Sequence, residues 1–507
     1  MTTKTLLCII LLLLINGVYG NAQNLDNIKD LKLPTATITK IEAHTDYLCV
    51  SIISKPTPSS NIGIEIWLPK GKWNERFLGT GNGGGGGKIS RELLSAGIKR
   101  GFAVANTDLG TSPNANSVIA YPERWADFGY RATHEMTVIS KYIIEKYYQR
   151  APKYSYFIGC STGGQQALME AQRFPEDYNG IIAGAPANNR THLHASFLWN
   201  YIATNKEPAS HFRPEQLNKI TAGVLKTNGG KDGGAPTDNF LTDPRLAAGC
   251  GCLDTILSKE QSETMKKIYA GPANPVTGEK IYTSFPLGTE NERTGLLLQQ
   301  SEEAQDLFYQ FKWLWGADYD LLSFDFNKDM KRMDRELGPI LNANNPDLNP
   351  FMKKGGKLIM YTGTYDPLVP FQDAVNYYER VIEKQGNLKK TQTFFRYFLI
   401  PGMAHCGGGP GLNDFGQGLP SDIPLDEERD ILTALMNWVE KEKAPQRMIV
   451  TSYNESKREK GIRLSRPVFP YPEFPQYTGG DPALLSSYIA RTHERGKVLK
   501  PAHKYLK

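Results

Sequence analysis

The chain has 507 residues, of which 40% are hydrophobic and 22% charged. That balance excludes a disordered or fibrous protein, and the length fits about two to four domains, or one large core with an insertion. A net charge of +6 is too small on so long a chain to mark a nucleic-acid partner.

Residues 1–22 read as a signal peptide. Lys4 supplies the positive start, Leu6 to Ile15 are apolar, and small residues at Gly17, Gly20 and Ala22 follow, with cleavage expected after Gly20 or Ala22. The apolar run is short for a bilayer span and no later stretch is long enough, so a secreted, soluble protein (extracellular or periplasmic) is expected. Export permits disulfides. Of six cysteines, Cys8 falls in the leader, which leaves Cys49, Cys160, Cys250, Cys252 and Cys406, an odd set. Zinc is the competing use, but no Cys-x-x-Cys pair occurs and His134-Glu135 lacks the second histidine of His-Glu-x-x-His.

The segment 23–189 alternates short apolar runs with helical patterns. Strands are predicted at Arg76 to Gly79, Phe102 to Ala105, Tyr154 to Ile158 and Ile181 to Ala183, with helices at Ala132 to Tyr148 and Gln165 to Arg173. The rhythm breaks over 190–345, which is polar-helical, glycine-rich and carries an aromatic cluster. It resumes over 346–490 with strands at Lys357 to Tyr361 and Thr393 to Ile400, and a helix from Asp426 to Val439 behind an acidic start. The expectation is one α/β domain with a mostly parallel sheet and an inserted segment. Residues 491–507 read as a basic, solvated tail.

Gly159-Cys160-Ser161-Thr162-Gly163 matches Gly-x-Ser-x-Gly between a predicted strand and helix. That setting holds a serine on a sharp turn with its hydroxyl exposed; the alternative is a plain strand–helix turn. A nucleophilic serine needs an acid and a histidine, in that chain order in α/β-hydrolases. Asp366 and His405 each follow a predicted strand, so all three can meet at one sheet edge. Cys160 precedes the serine and Cys406 follows the histidine, so a disulfide between them is expected over two unrelated buried thiols.

The loop Gly81-Asn82-Gly83-Gly84-Gly85-Gly86-Gly87 admits several readings. It fails the phosphate-loop pattern at Asn82 and Ile89. It satisfies a dinucleotide Gly-x-Gly-x-x-Gly, with Asp108 as the ribose acid, as almost any polyglycine run does. In a hydrolase it would donate a backbone N–H to the oxyanion, with the N–H of Thr162 as the second donor. A flexible surface turn is the fourth reading.

Together these residues closely resemble the tannase and feruloyl esterase family. The resemblance rests on the run Tyr156 to Gly164 and its continuation Gln166 to Arg173, on Asp127 to Ala132 and Gly180 to Ala187, and on Asp366-Pro367-Leu368-Val369-Pro370 and Pro401 to Cys406. It implies an α/β-hydrolase fold with a lid domain, a Ser161-His405-Asp366 triad, a Cys160–Cys406 bridge, and Gly84 with Thr162 as the oxyanion hole. The implied substrates are small esters of phenolic acids such as ferulate or gallate, free or attached to polysaccharide or tannin. The implied acyl contacts are Phe308, Trp313 and Trp315 foremost, with Tyr309 and Phe311 beside them; a core stripe on a lid helix is the alternative.

The chain also departs from the family pattern. Family members usually hold calcium in a lid loop like Asn228 to Gly234, but Leu225 and Asn228 stand where carboxylates are expected and only Asp232 survives. Bound calcium is therefore not expected, and the triad chemistry calls for no redox or nucleotide cofactor. Val224 replaces a family cysteine, leaving Cys250 without its implied partner; Phe469 replaces another, whose C-terminal counterpart is also missing; and Cys49 lacks its implied N-terminal partner. Two other classes compete with the esterase: a hydrolase-fold protein that binds without turnover, and a dinucleotide-dependent oxidoreductase.

Overall fold

A computed structural model describes residues 25–205, 207–298, 306–420 and 424–492. The expected leader, 1–22, lies outside them. Nine strands form one sheet: β1 (Ala36–Ala43), β2 (Tyr47–Ser54), β3 (Ile62–Pro69), β4 (Arg76–Thr80), β5 (Ala103–Thr107), β6 (Tyr154–Cys160), β7 (Gly180–Gly184), β8 (Lys357–Gly363) and β9 (Phe395–Ile400). Their order is β1-β2-β3-β5-β4-β6-β7-β8-β9. The pairs from β5 to β9 are parallel, and β1, β2 and β3 extend that sheet with antiparallel pairing.

The helices that matter for the site are α1 (Arg91–Lys99), α2 (Ala132–Tyr148), α3 (Thr162–Arg173), α4 (Arg190–Asn205), α5 (Tyr309–Trp315), α6 (Phe371–Gln385) and α7 (Ile431–Lys441). Successive strand residues point to opposite faces, and the parallel strands are apolar at both. Leu78, Val104, Tyr156, Ile182 and Ile359 pack with Leu94 of α1 and Leu435 and Trp438 of α7. Their neighbours Phe77, Ala103, Phe157, Ile181 and Leu358 pack with Met136 of α2, Leu168 of α3 and Tyr378 of α6. Each large side chain buried this way contributes about 1.5–3 kcal/mol, so the sheet is fixed from both sides.

Strands β7 and β8 are neighbours in the sheet, yet the described residues between them supply no strand to it. Part of that segment has an apolar cluster of its own, built on Phe212, Leu217, Ile220, Val224, Met265, Ile268 and Phe285. Val224 is fully buried there, which gives a physical use to the apolar residue standing at a family cysteine position.

Several elements differ from expectation. Strands β1 to β3 were not anticipated. Nor were two separate antiparallel pairs, β10 (Met448–Tyr453) with β11 (Ile462–Val468), and β12 (Glu473–Tyr477) with β13 (Tyr488–Thr492). The expected tail from 491 begins inside β13, where Arg491 pairs with Phe474; residues 493–507 lie outside the described ones. The helix expected from Asp426 starts at Ile431. Asp426 caps a preceding turn, and Asp430 is the true N-cap, accepting the Thr433 N–H at 2.7 Å. Cys250 is bonded to Cys252 rather than left alone, while Cys49 is a free, buried thiol whose pKa burial pushes up.

Candidate active site

The carboxyl ends of β6, β8 and β9 lie on one edge of the sheet, where open parallel sheets place their ligands. Ser161 follows β6 with φ 64° and ψ −117°, a backbone conformation few non-glycine residues adopt. Close packing enforces this turn. A Cβ on Gly159 would lie 2.4 Å from the Gly163 carbonyl oxygen, and one on Gly81 would lie 2.5 Å from the Gly163 Cα. The Ser161 N–H is held by the Gly184 carbonyl at 3.0 Å, which ties the turn to β7.

Asp366 follows β8 and is fully buried. Its Oδ1 accepts the N–H groups of Leu368 and Val369 at 3.0 and 2.9 Å, and its Oδ2 meets His405 Nδ1 at 2.8 Å. Nε2 is the ring atom left for chemistry. Burial pulls the His405 pKa down, but the charge and hydrogen bond of Asp366 outweigh it, and the net shift is upward. Cys160 and Cys406 are disulfide-bonded with Cα atoms 5.9 Å apart, so the residues flanking them, Ser161 and His405, are brought together.

Ser161 and His405 line one cavity of about 760 Å³. The glycine loop, Gly81 to Gly84, and Thr162 line it. Its apolar lining comes from Leu193 and Phe197 of α4 with Leu307, Leu368 and Val369, and Lys88, Ser90 and Gln417 add polar groups. The loop is tied down by side chains. Asn82 donates to the carbonyls of Lys88 and Thr107, and its own N–H is accepted by Gln166. Asp108, the ribose acid of the dinucleotide reading, is spent on the N–H groups of Gly63 and Gly110 at 2.9 and 2.7 Å.

The profile of the family described as tannase and feruloyl esterase matches residues 49–491. The chain belongs to this family. An uncharacterized esterase of Xanthomonas campestris pv. campestris is 34% identical over 92% of this chain and 88% of its own. A probable feruloyl esterase B-2 of Aspergillus flavus is 33% identical over 83% of this chain and 82% of its own. Feruloyl esterase B of Aspergillus oryzae superposes with a TM-score of 0.84 at 23% identity, covering 93% of this chain and all of the other. The fold is that of the α/β-hydrolases, and this member of the tannase and feruloyl esterase family is a carboxylic ester hydrolase.

The aromatic residues expected against the acyl group are placed differently. Phe308 is fully buried against Tyr201 and Phe311. Trp313 stacks on Trp125 at 5.5 Å and donates its indole N–H to the Ala115 carbonyl, and Trp315 stacks on Tyr319. Phe308 and Trp313 are built into the large core that also packs the sheet, and Trp315 is half-buried against it. Of the five aromatics, Tyr309 lines the cavity. Sequence reasoning also passed over Arg190 and His194, which reach the cavity from α4; their one signal was position, just after a strand exit at the edge that carries Ser161.

The loop Asn228 to Gly234, which the resemblance would make a calcium loop, has its polar groups committed elsewhere. The Asn228 amide is consumed by the backbone: it donates to Val224 and Ala248 and accepts from Ala248. Both Asp232 oxygens accept N–H groups, from Gly234 and Thr242. The nearby Asp238 is paired with the buried Arg466 at 2.7 Å, so the positive charge beside this loop is a side chain. Elsewhere, His134, Glu170 and Asp177 cluster between α2 and α3, and burial, with the charge of Asp177 beside it, raises the Glu170 pKa well above the usual carboxylate range.

Proposed function

We propose that this protein is a secreted serine esterase that cleaves esters of phenolic acids, ferulate or gallate in type, by two-step acyl transfer. The observation that carries the reading is the Asp366–His405 pair, held beside a strained Ser161 by the Cys160–Cys406 bond, with Ser161 and His405 lining one cavity. His405 Nε2 takes the Ser161 proton as Oγ attacks the ester carbonyl, and Asp366 holds the imidazole by Nδ1. The charge forming on the carbonyl oxygen meets the N–H of Thr162 and an N–H of the Gly83–Gly84 stretch; neither Thr162 nor these glycines spend that N–H on another group among the described residues. His405 then protonates the departing alcohol, and water repeats the cycle to release the acid. The apolar lining of Leu193, Phe197 and Leu307 suits a flat aryl acyl group, and the segment 190–345 serves as the lid.

The test is hydrolysis of methyl ferulate, methyl gallate and chlorogenate by wild type. Cleavage of aliphatic esters alone would remove the phenolic assignment while leaving the esterase.

The base must be neutral to act. Because Asp366 raises the His405 pKa, kcat/KM is expected to fall on acidification through a pKa above that of an ordinary histidine. In Asp366→Asn the raising influence is gone and burial remains, so the acid limb should move to lower pH in the residual activity. A pH–rate profile of both proteins checks this, and an unmoved limb argues against His405 as the titrating base.

We further propose that no metal or cofactor is needed. Exhaustive chelation with EDTA should leave both turnover and melting temperature unchanged; a clear drop in either points to a bound cation.

A further inference from the structure

Arg190 opens α4 and is 2% exposed, although it lines the cavity. Buried guanidinium groups are ordinarily paired with carboxylates, because desolvating an unpaired cation is costly. Arg190 is not. Nε and Nη2 donate to the Tyr309 hydroxyl at 2.9 and 2.6 Å, and Nη2 also donates to the Gly84 carbonyl and to Thr162 Oγ1, each at 3.0 Å. None of these acceptors is charged, and Nη1 has no hydrogen-bond acceptor among the described residues. The guanidinium instead lies over the Phe128 ring, 4.8 Å from its centroid.

Its partners are the two segments that supply the oxyanion donors. Thr162 Oγ1 donates to the Gly84 carbonyl at 2.6 Å, so Arg190, Thr162 and Gly84 close a triangle. Gly84 sits at φ 53° with open space where a Cβ would be, so no steric packing at that position fixes the turn. The triangle fixes its carbonyl by hydrogen bonds, as Thr111 Oγ1 does that of Gly85. Tyr309 anchors the far side of the guanidinium on α5, in the inserted segment.

We propose that Arg190 is a positioning residue for the ester hydrolysis. It fixes the glycine loop against the start of α3, and its charge, which no carboxylate pairs among the described residues, stabilises the tetrahedral oxyanion that forms beside that loop. The inference rests on the serine-esterase reading. It predicts an effect on the transition state and little on ground-state binding.

The experiment compares wild type, Arg190→Met, Arg190→Lys and Tyr309→Phe on methyl ferulate, with folding checked by circular dichroism and melting. An aryl boronic acid, which forms a tetrahedral anion on a nucleophilic serine, is titrated as inhibitor. Arg190→Met should lower kcat about 100-fold, the scale of losing an oxyanion donor, with KM within about threefold of wild type. Boronate affinity should fall in step. Arg190→Lys keeps the charge but cannot span three acceptors, and should fall between; Tyr309→Phe should lose about fivefold in kcat through the same split.

A folded Arg190→Met with wild-type kcat, or one whose KM alone rises, overturns the proposal. Should Arg190→Met fail to fold, an unchanged kcat and boronate affinity in Tyr309→Phe and Arg190→Lys overturn it equally. A wild type that neither cleaves the ester nor binds the boronate refutes the esterase reading itself, and this proposal with it.

Discussion

Pure Ser161→Ala is expected to lose at least about 10⁴-fold of ester turnover while melting like wild type, because the nucleophile is removed and the oxyanion donors stay. The fold should tolerate the change. Ser161 makes no side-chain hydrogen bond that caps α3, and its turn is enforced by the glycines around it rather than by its hydroxyl. If anything the variant relieves nothing, since alanine meets the same positive φ. The measurement is steady-state hydrolysis by protein free of wild-type carry-over. Substantial residual turnover would refute the nucleophile assignment.

The second large effect is expected from the Cys160–Cys406 bond. Both cysteines line the cavity, so a small reductant can reach them. The bond closes a loop of sequence separation 246, for which chain entropy alone suggests about 5 kcal/mol as an upper figure. Yet β6 and β9 are each built into the same sheet through other strands, so the fold has independent support. The sharper loss should be catalytic. Freed from its neighbour, the His405 loop can shift against Ser161, and a displacement near 1 Å costs about 100-fold in well-oriented reactions. Mild reduction, verified by mass, should therefore lower activity about 10- to 100-fold before circular dichroism changes. Unchanged turnover in verified reduced protein would show that the sheet alone positions the base.

Much of the parallel core was legible because its signals are local. Helix α2 follows a 3.6-residue apolar period and matches its expected span, and β4 to β9 appear as short apolar runs separated by glycine and helical patterns. That Ser161, Asp366 and His405, the proposed triad, would meet was legible for a related reason: each follows a strand of a parallel sheet, and parallel strands end on one edge. Strands β1 to β3 broke the rhythm, since hairpin connections replace crossover helices there. In β11 and β12, Pro467 and Pro475 argue against a sheet interior, and both strands indeed sit in two-stranded pairs.

Side-chain destinations were harder to read than elements. A helical aromatic period states that a face is buried, but not whether protein or substrate covers it. Trp313 and Trp315 satisfied the pattern and went to the core, whereas Tyr309 reached the cavity. Arg190 carried no pattern at all. Its role depends on three segments far apart in sequence, and only the folded chain brings Gly84, Thr162 and Tyr309 within its reach.

The bond between Cys160 and Cys406 also bears on how the enzyme survives proteases. Every peptide bond between those two cysteines, the whole insertion included, lies inside a covalent ring. A single cut there opens the ring without releasing a fragment, and the nucleophile and base stay on one molecule. A nicked enzyme of this kind would run as one band until reduced and as two bands afterwards. The crosslink turns a clip in the insertion from a loss into a scar.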